Sequence, residues 1–212
     1  KFIAIDFARK EIVGNQYIGE VRDVLLTSNL STESTRTLKA TTSKLENAES
    51  NFGSGMDSKQ LSHELLVQIS KADNGSRQDV IKAGEALITR IGNQSNLILD
   101  PDLDSYYTMS LIVLRFPELL EVIQLIYDKA QDRANISRQD LDRVQTEYLL
   151  LEGRYDSIVK GITADFAEGI AAGRPEFKSS MGNWRDRLLV SVNAYRDSSR
   201  RLVIDKIGRA HV

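Results

Sequence analysis

Cysteine is absent from the 212-residue chain. That excludes a disulfide scaffold and thiolate metal sites, while leaving the compartment open, because a helical domain outside the cytoplasm needs no disulfides. Histidine is nearly absent: His63 lies in the middle of the sequence and His211 near its end, so His63 has no neighbouring histidine with which to build a zinc site. Proline occurs only at 101, 117 and 175. No Asn-Gly or Asp-Gly turn sits between alternating apolar runs, since Asn74-Gly75 falls between helical patterns, and strand signals are correspondingly scarce. No stretch approaches the roughly 18–20 apolar residues of a membrane span. A basic excess is also missing. The net charge of −2 and pI near 5.8 argue against a nucleic-acid binder, so no nucleic-acid partner is expected.

What remains is an ordinary globular composition, 41% apolar and 27% charged, arranged with helical periodicity. Helices are expected at about 2–26, 32–51, 58–72, from 76 to about 96, from Pro101 onward, at 137–173 and after Pro175. Leu38, Leu45 and Phe52 recur every seven residues. Met109, Ile112, Phe116, Leu119, Ile123 and Ile126 alternate spacings of three and four, as do Leu141, Val144, Tyr148, Leu151, Tyr155, Ile158 and Ile162. Met181, Leu188, Tyr195 and Leu202 again step by seven, with Trp184 beside them as a packing residue. These are the seams of left-handed helix packing. The expected fold is all-α, an elongated antiparallel helical bundle that could divide into two stacked four-helix modules sharing long helices. One domain is expected over residues 1–207, with 208–212 as a tail foreign to it. The chain opens inside a helix and ends with almost no stop signal, the pattern of a segment cut from a longer protein.

Motifs with chemical content are few. Asp100, Asp102 and Asp104 alternate as in a calcium loop, but Ser105 and Leu111 stand at the sixth and twelfth loop positions, where glycine and glutamate are required. Helix capping accounts for the aspartates instead: Asp100 as N-cap, Pro101 in the first turn, Asp102 and Asp104 at the positive helix end. Phosphate-binding, dinucleotide and nucleophile-elbow fingerprints are absent. No metal, no cofactor and no catalytic residue is therefore assigned, and the chain itself is not expected to be an enzyme.

Pro117 falls inside a helical pattern, where it removes an amide donor and frees the carbonyl of Val113, so a kink is expected. Arg115 lies just before it among apolar neighbours. With Tyr106 and Tyr107 it is the candidate lining of an interhelical pocket for a small anion, because a guanidinium binds carboxylates in a two-pronged fashion. Arg22 and Arg90 are further candidates of the same kind.

Two segments carry a family resemblance. Asn96-Leu97-Ile98-Leu99-Asp100-Pro101-Asp102-Leu103-Asp104-Ser105-Tyr106-Tyr107 resembles a segment of the all-helical extracytoplasmic sensor regions of bacterial transmembrane receptors. These include sensor histidine kinases, methyl-accepting chemotaxis receptors and diguanylate cyclases. Ala8-Arg9-Lys10-Glu11-Ile12-Val13-Gly14-Asn15-Gln16-Tyr17-Ile18 is similar to the opening helix of the same regions. The resemblance implies a periplasmic sensing domain of an inner-membrane protein, with flanking membrane spans. It also implies a small-molecule ligand or periplasmic binding partner, a homodimer, and a parent that is a histidine kinase. The basic stretch Arg196 to Lys206 suits an approach to a membrane surface.

Two other readings stay open. A structural helical adaptor would use the same seams without a ligand. Ser62-His63-Glu64-Leu65 is similar to a histidine-kinase phosphoacceptor box, but Leu66-Val67-Gln68 departs from it at once, and no ATP-binding motif follows.

Overall fold

The computed structural model describes residues 2–30, 35–71, 77–99, 102–132 and 138–205, and within them every regular element is helical. The all-α expectation holds. Contacts divide the chain into two compact units, Lys1–Pro117 and Glu118–Val212.

The first unit is built on α1 (Phe2–Leu30), α2 (Thr35–Phe52), α3 (Lys59–Lys71) and α4 (Arg77–Gln94). Each packs on its sequence neighbour, and the ring closes between α1 and α4. This is a four-helix bundle with short connections. Its core runs from Tyr17, Ile18, Val21, Val24 and Leu25 of α1 to Leu45 and Ala48 of α2, Leu65 and Ile69 of α3, and Leu87, Ile88 and Ile91 of α4. Burying each large aliphatic side chain contributes about 1.5–3 kcal/mol. Glycines set how closely α1 and α4 approach. A Cβ added at Gly84 would lie 2.5 Å from a Leu25 methyl, and one at Gly14 would lie 2.2 Å from Ser95 Cβ. Both pairs fit a single antiparallel register. Of the seven-spaced α2 residues, Leu45 is fully buried and Phe52 half-buried, while the Leu38 side chain lies outside the described set.

After α4 come a 3-10 turn (Leu97–Leu99), α5 (Leu103–Met109), a π-helical segment (Ser110–Arg115) and α6 (Phe116–Asp132). The helix expected from Pro101 is described from Leu103, with Asp102 in extended conformation at its N-cap and no side-chain cap bond. The proposed capping roles of Asp100 and Pro101 lie outside the described residues. Where a kink was expected at Pro117, the structure shows a π segment just before it. There the Phe116 amide donates to the carbonyl of Leu111, five residues back. Proline has no amide to offer and its ring crowds the preceding turn, which a wider turn relieves. Leu111 and Val113, two positions apart in this segment, are both buried. Val113 reaches α4 at Gly92, where an added Cβ would lie 3.1 Å from its Cγ1.

The second unit contains α6 from Glu118 onward, α7 (Arg138–Ala172), α8 (Pro175–Arg200) and a terminal π segment (Arg201–Asp205). The α7 seam is realised in large part: Val144, Tyr148, Tyr155, Ile158 and Ile162 are buried, while Leu141 and Leu151 are half-buried and Glu152 is buried beside the latter. The turn into α8 uses Gly173, where a Cβ would meet the Phe177 ring at 2.2 Å, and Pro175 opens the helix. The α8 seam differs from expectation. Met181, Leu188 and Tyr195 are only half-buried and Leu202 is exposed, while Val192, Ser199 and Val203 form the buried line. Trp184, read as a packing residue, is 64% exposed, and the Arg187 guanidinium lies 6.0 Å from its ring centroid. Residues 208–212, the suspected tail, fall outside the described set.

Candidate functional site

The turn between α4 and α5 is built backbone first. The Ser95 amide donates to the Ile91 carbonyl at 2.9 Å, closing the last turn of α4. Asn96 then takes a left-handed conformation (φ 64°) that ends the helix. Asparagine tolerates this region better than most residues. Ser95 is completely buried, and Gly14 of α1 faces it together with Leu97. The two segments of the family resemblance, far apart in sequence, therefore pack against each other.

Beyond the turn, Asp104 accepts from the Ser105 amide at 2.9 Å, and the Ser105 hydroxyl donates to the Asp102 carbonyl at 3.1 Å. Tyr106 and Tyr107 meet edge to face, their centroids 5.3 Å apart and their planes at 81°. Tyr106 is exposed and Tyr107 half-buried. Arg115, also half-buried, closes the π segment about two turns further along. Of the five ligand candidates, the structure joins the two tyrosines on one short helix with Arg115 downstream of them. Arg22 and Arg90 are directed elsewhere. Arg22 pairs with its neighbour Asp23 at 2.9 Å on the surface of α1, and Arg90 of α4 pairs with Asp57 in the α2–α3 turn.

A second polar centre was not anticipated. The Tyr17 hydroxyl, fully buried on α1, donates to Glu49 Oε2 on α2. The same oxygen accepts from Ser58 Oγ at 2.9 Å, and the Ser62 hydroxyl bonds Tyr17 in turn. Burial pushes the Tyr17 phenol well above its usual range, and its bond to Glu49 pushes it further, because ionising it would lose that bond beside an existing negative charge. Ser58 stands one residue before α3 and Ser62 four residues later, a spacing that places both hydroxyls on one side of the helix start. That much was readable in the sequence. Nothing distinguishes Glu49 among 30 acidic residues until the helices are packed. Among the described residues, no group of three or more His, Cys, Asp or Glu is placed to hold a metal ion.

No family model, no curated protein and no solved structure matches the chain.

Proposed function

We propose that this chain is the extracytoplasmic signal-sensing domain of a bacterial transmembrane receptor, specifically of a sensor histidine kinase. Ligand or partner binding would shift the population between two packings of the helices. The observation that supports the reading best is the contact of Gly14 with Ser95 and Leu97. It makes the two resembling segments parts of one packed junction, as expected of a shared structural signature. Tyr106, Tyr107 and Arg115 are the residues proposed to meet a small anionic ligand, the arginine through its guanidinium.

The test has two stages. Reporter enzymes active on only one side of the membrane are fused to the full-length gene product at exposed positions of this region. Activity of the periplasmic reporter is expected, and activity of the cytoplasmic one alone sinks the reading. The purified domain is then screened by thermal shift against small organic acids and amines. A stabilising acid is expected to lose its effect in Arg115→Ala; an unchanged shift removes Arg115 from the site.

A further inference from the structure

The turn between α2 and α3, residues 53–58, is held closed in an unusual way. Two of its residues adopt left-handed backbone conformations, Gly55 (φ 83°) and Asp57 (φ 47°). The second is an aspartate, which like asparagine enters that region more readily than most residues that carry a side chain. Its one deep apolar anchor is Met56, 1% exposed. The remaining ties are polar. Ser58 Oγ donates to Glu49, Glu49 accepts from Tyr17, Ser62 bonds Tyr17, and Asp57 pairs with Arg90 at the surface. Glycine at 53 leaves the room that the Glu49 carboxylate occupies, since a Cβ there would lie 2.3 Å from Oε1. Among the described residues, Glu49 is held by hydroxyl donors and by no cation. It is half-buried, so its carboxylate has a short path to water.

We propose that these groups form a latch: Glu49 swinging out releases residues 53–62 from α1 as a local unit, while the rest of the four-helix bundle stays folded. A polar closure can exchange its partners for water, which an apolar closure cannot do without a larger cost. Three elements share one carboxylate, so losing the Tyr17 bond also loosens the Ser58 contact. The inference does not depend on the receptor reading, because it concerns the purified chain in any compartment.

Native-state amide hydrogen exchange on the full chain tests it. Tyr17→Phe keeps the ring and removes only the hydroxyl, and Glu49→Gln keeps the shape and removes the charge. Each is expected to speed exchange at residues 53–62 by about tenfold, the effect of losing one charge-assisted hydrogen bond. Amides in the middle of α4 and in α7 should be unaffected. In the double variant the two effects are expected to combine to less than their product, because both changes weaken the Tyr17–Glu49 bond, while Glu49→Gln alone also weakens the Ser58 contact. Unchanged exchange at 53–62 in both variants overturns the proposal. So does a rise spread evenly over all four helices of the first unit, which would make the cluster a contributor to global stability only.

Discussion

Gly14 and Gly19 lie on the same helix and show why residue identity alone does not reveal a glycine's role. A Cβ at Gly14 would sit 2.2 Å from Ser95 Cβ, an atom fixed to its own backbone, whereas nothing lies within 4 Å of a Cβ at Gly19. Gly14→Ala is therefore expected to destabilise the chain by about 1–3 kcal/mol through overpacking. Gly19→Ala should stabilise it by up to about 1 kcal/mol through helix propensity. Urea denaturation of the two variants checks the contrast, and equal midpoints would mean the α1–α4 contact is slack. Asn96 was likewise visible only as a letter in a motif. Its left-handed backbone gives the physical reason for that letter, because a β-branched residue there would carry a steric cost. The sequence could not disclose either role, since each depends on a contact or a dihedral outside local periodicity.

Whole elements were more legible, and the two long helices of the second unit mark the boundary. In α7 the three-four alternation of apolar residues followed the buried line at Val144, Tyr148, Tyr155, Ile158 and Ile162, with Leu141 and Leu151 half-buried at its edge. In α8 the seven-residue repeat of Met181, Leu188, Tyr195 and Leu202 proved to be the flank of the interface. The buried line there includes Ser199, which no hydrophobic pattern can select. Its hydroxyl lies 2.9 Å from the Arg196 carbonyl and 3.0 Å from the Tyr148 hydroxyl, which in turn lies 3.5 Å from Glu152 Oε1. Tyr155 makes a parallel tie, donating to the Val192 carbonyl at 2.8 Å. Together these fix the register of the antiparallel pair. Tyr148→Phe and Ser199→Ala should each cost about 1 kcal/mol, a typical net value for a buried hydrogen bond. Their double variant should cost roughly 0.5–1 kcal/mol less than the sum, because the same bond is removed once. Strict additivity in equilibrium unfolding would show that the bond does not join α7 to α8. For the candidate ligand site, the sequence placed Tyr106, Tyr107 and Arg115 on one helical run, and the pairing of Arg22 with the adjacent Asp23 is local, whereas the pairing of Arg90 with Asp57 needed the packed helices.

At the scale of the whole molecule, the buried phenols set how stability responds to base. Tyr17 in the first unit and Tyr155 and Tyr195 in the second are all raised well above the ordinary tyrosine range, with burial the leading cause in each. For Tyr155 and Tyr195, negative charge on a nearby tyrosine adds to the effect. The folded-state value exceeds the unfolded one, near 10, so the contribution of these phenols is complete below about pH 10. It drains as pH climbs from there towards the folded values, because the unfolded chain releases its protons first. The loss is of order 1 kcal/mol per pH unit for each phenol. In the second unit the Tyr148 phenol is raised as well, again mainly by burial, so that unit carries three raised phenols against one in the first and should be the first to open in base. Unfolding followed by hydrogen exchange is expected to show α7 and α8 losing protection between pH 10 and 11 while α1 and α4 retain theirs. The Tyr155→Phe/Tyr195→Phe variant removes two of the unit's three such ionisations and should weaken that response, at the cost of the two hydrogen bonds to the carbonyls of Val192 and Ile123. A variant as base-sensitive as the parent chain would mean that the alkaline transition starts at some other group.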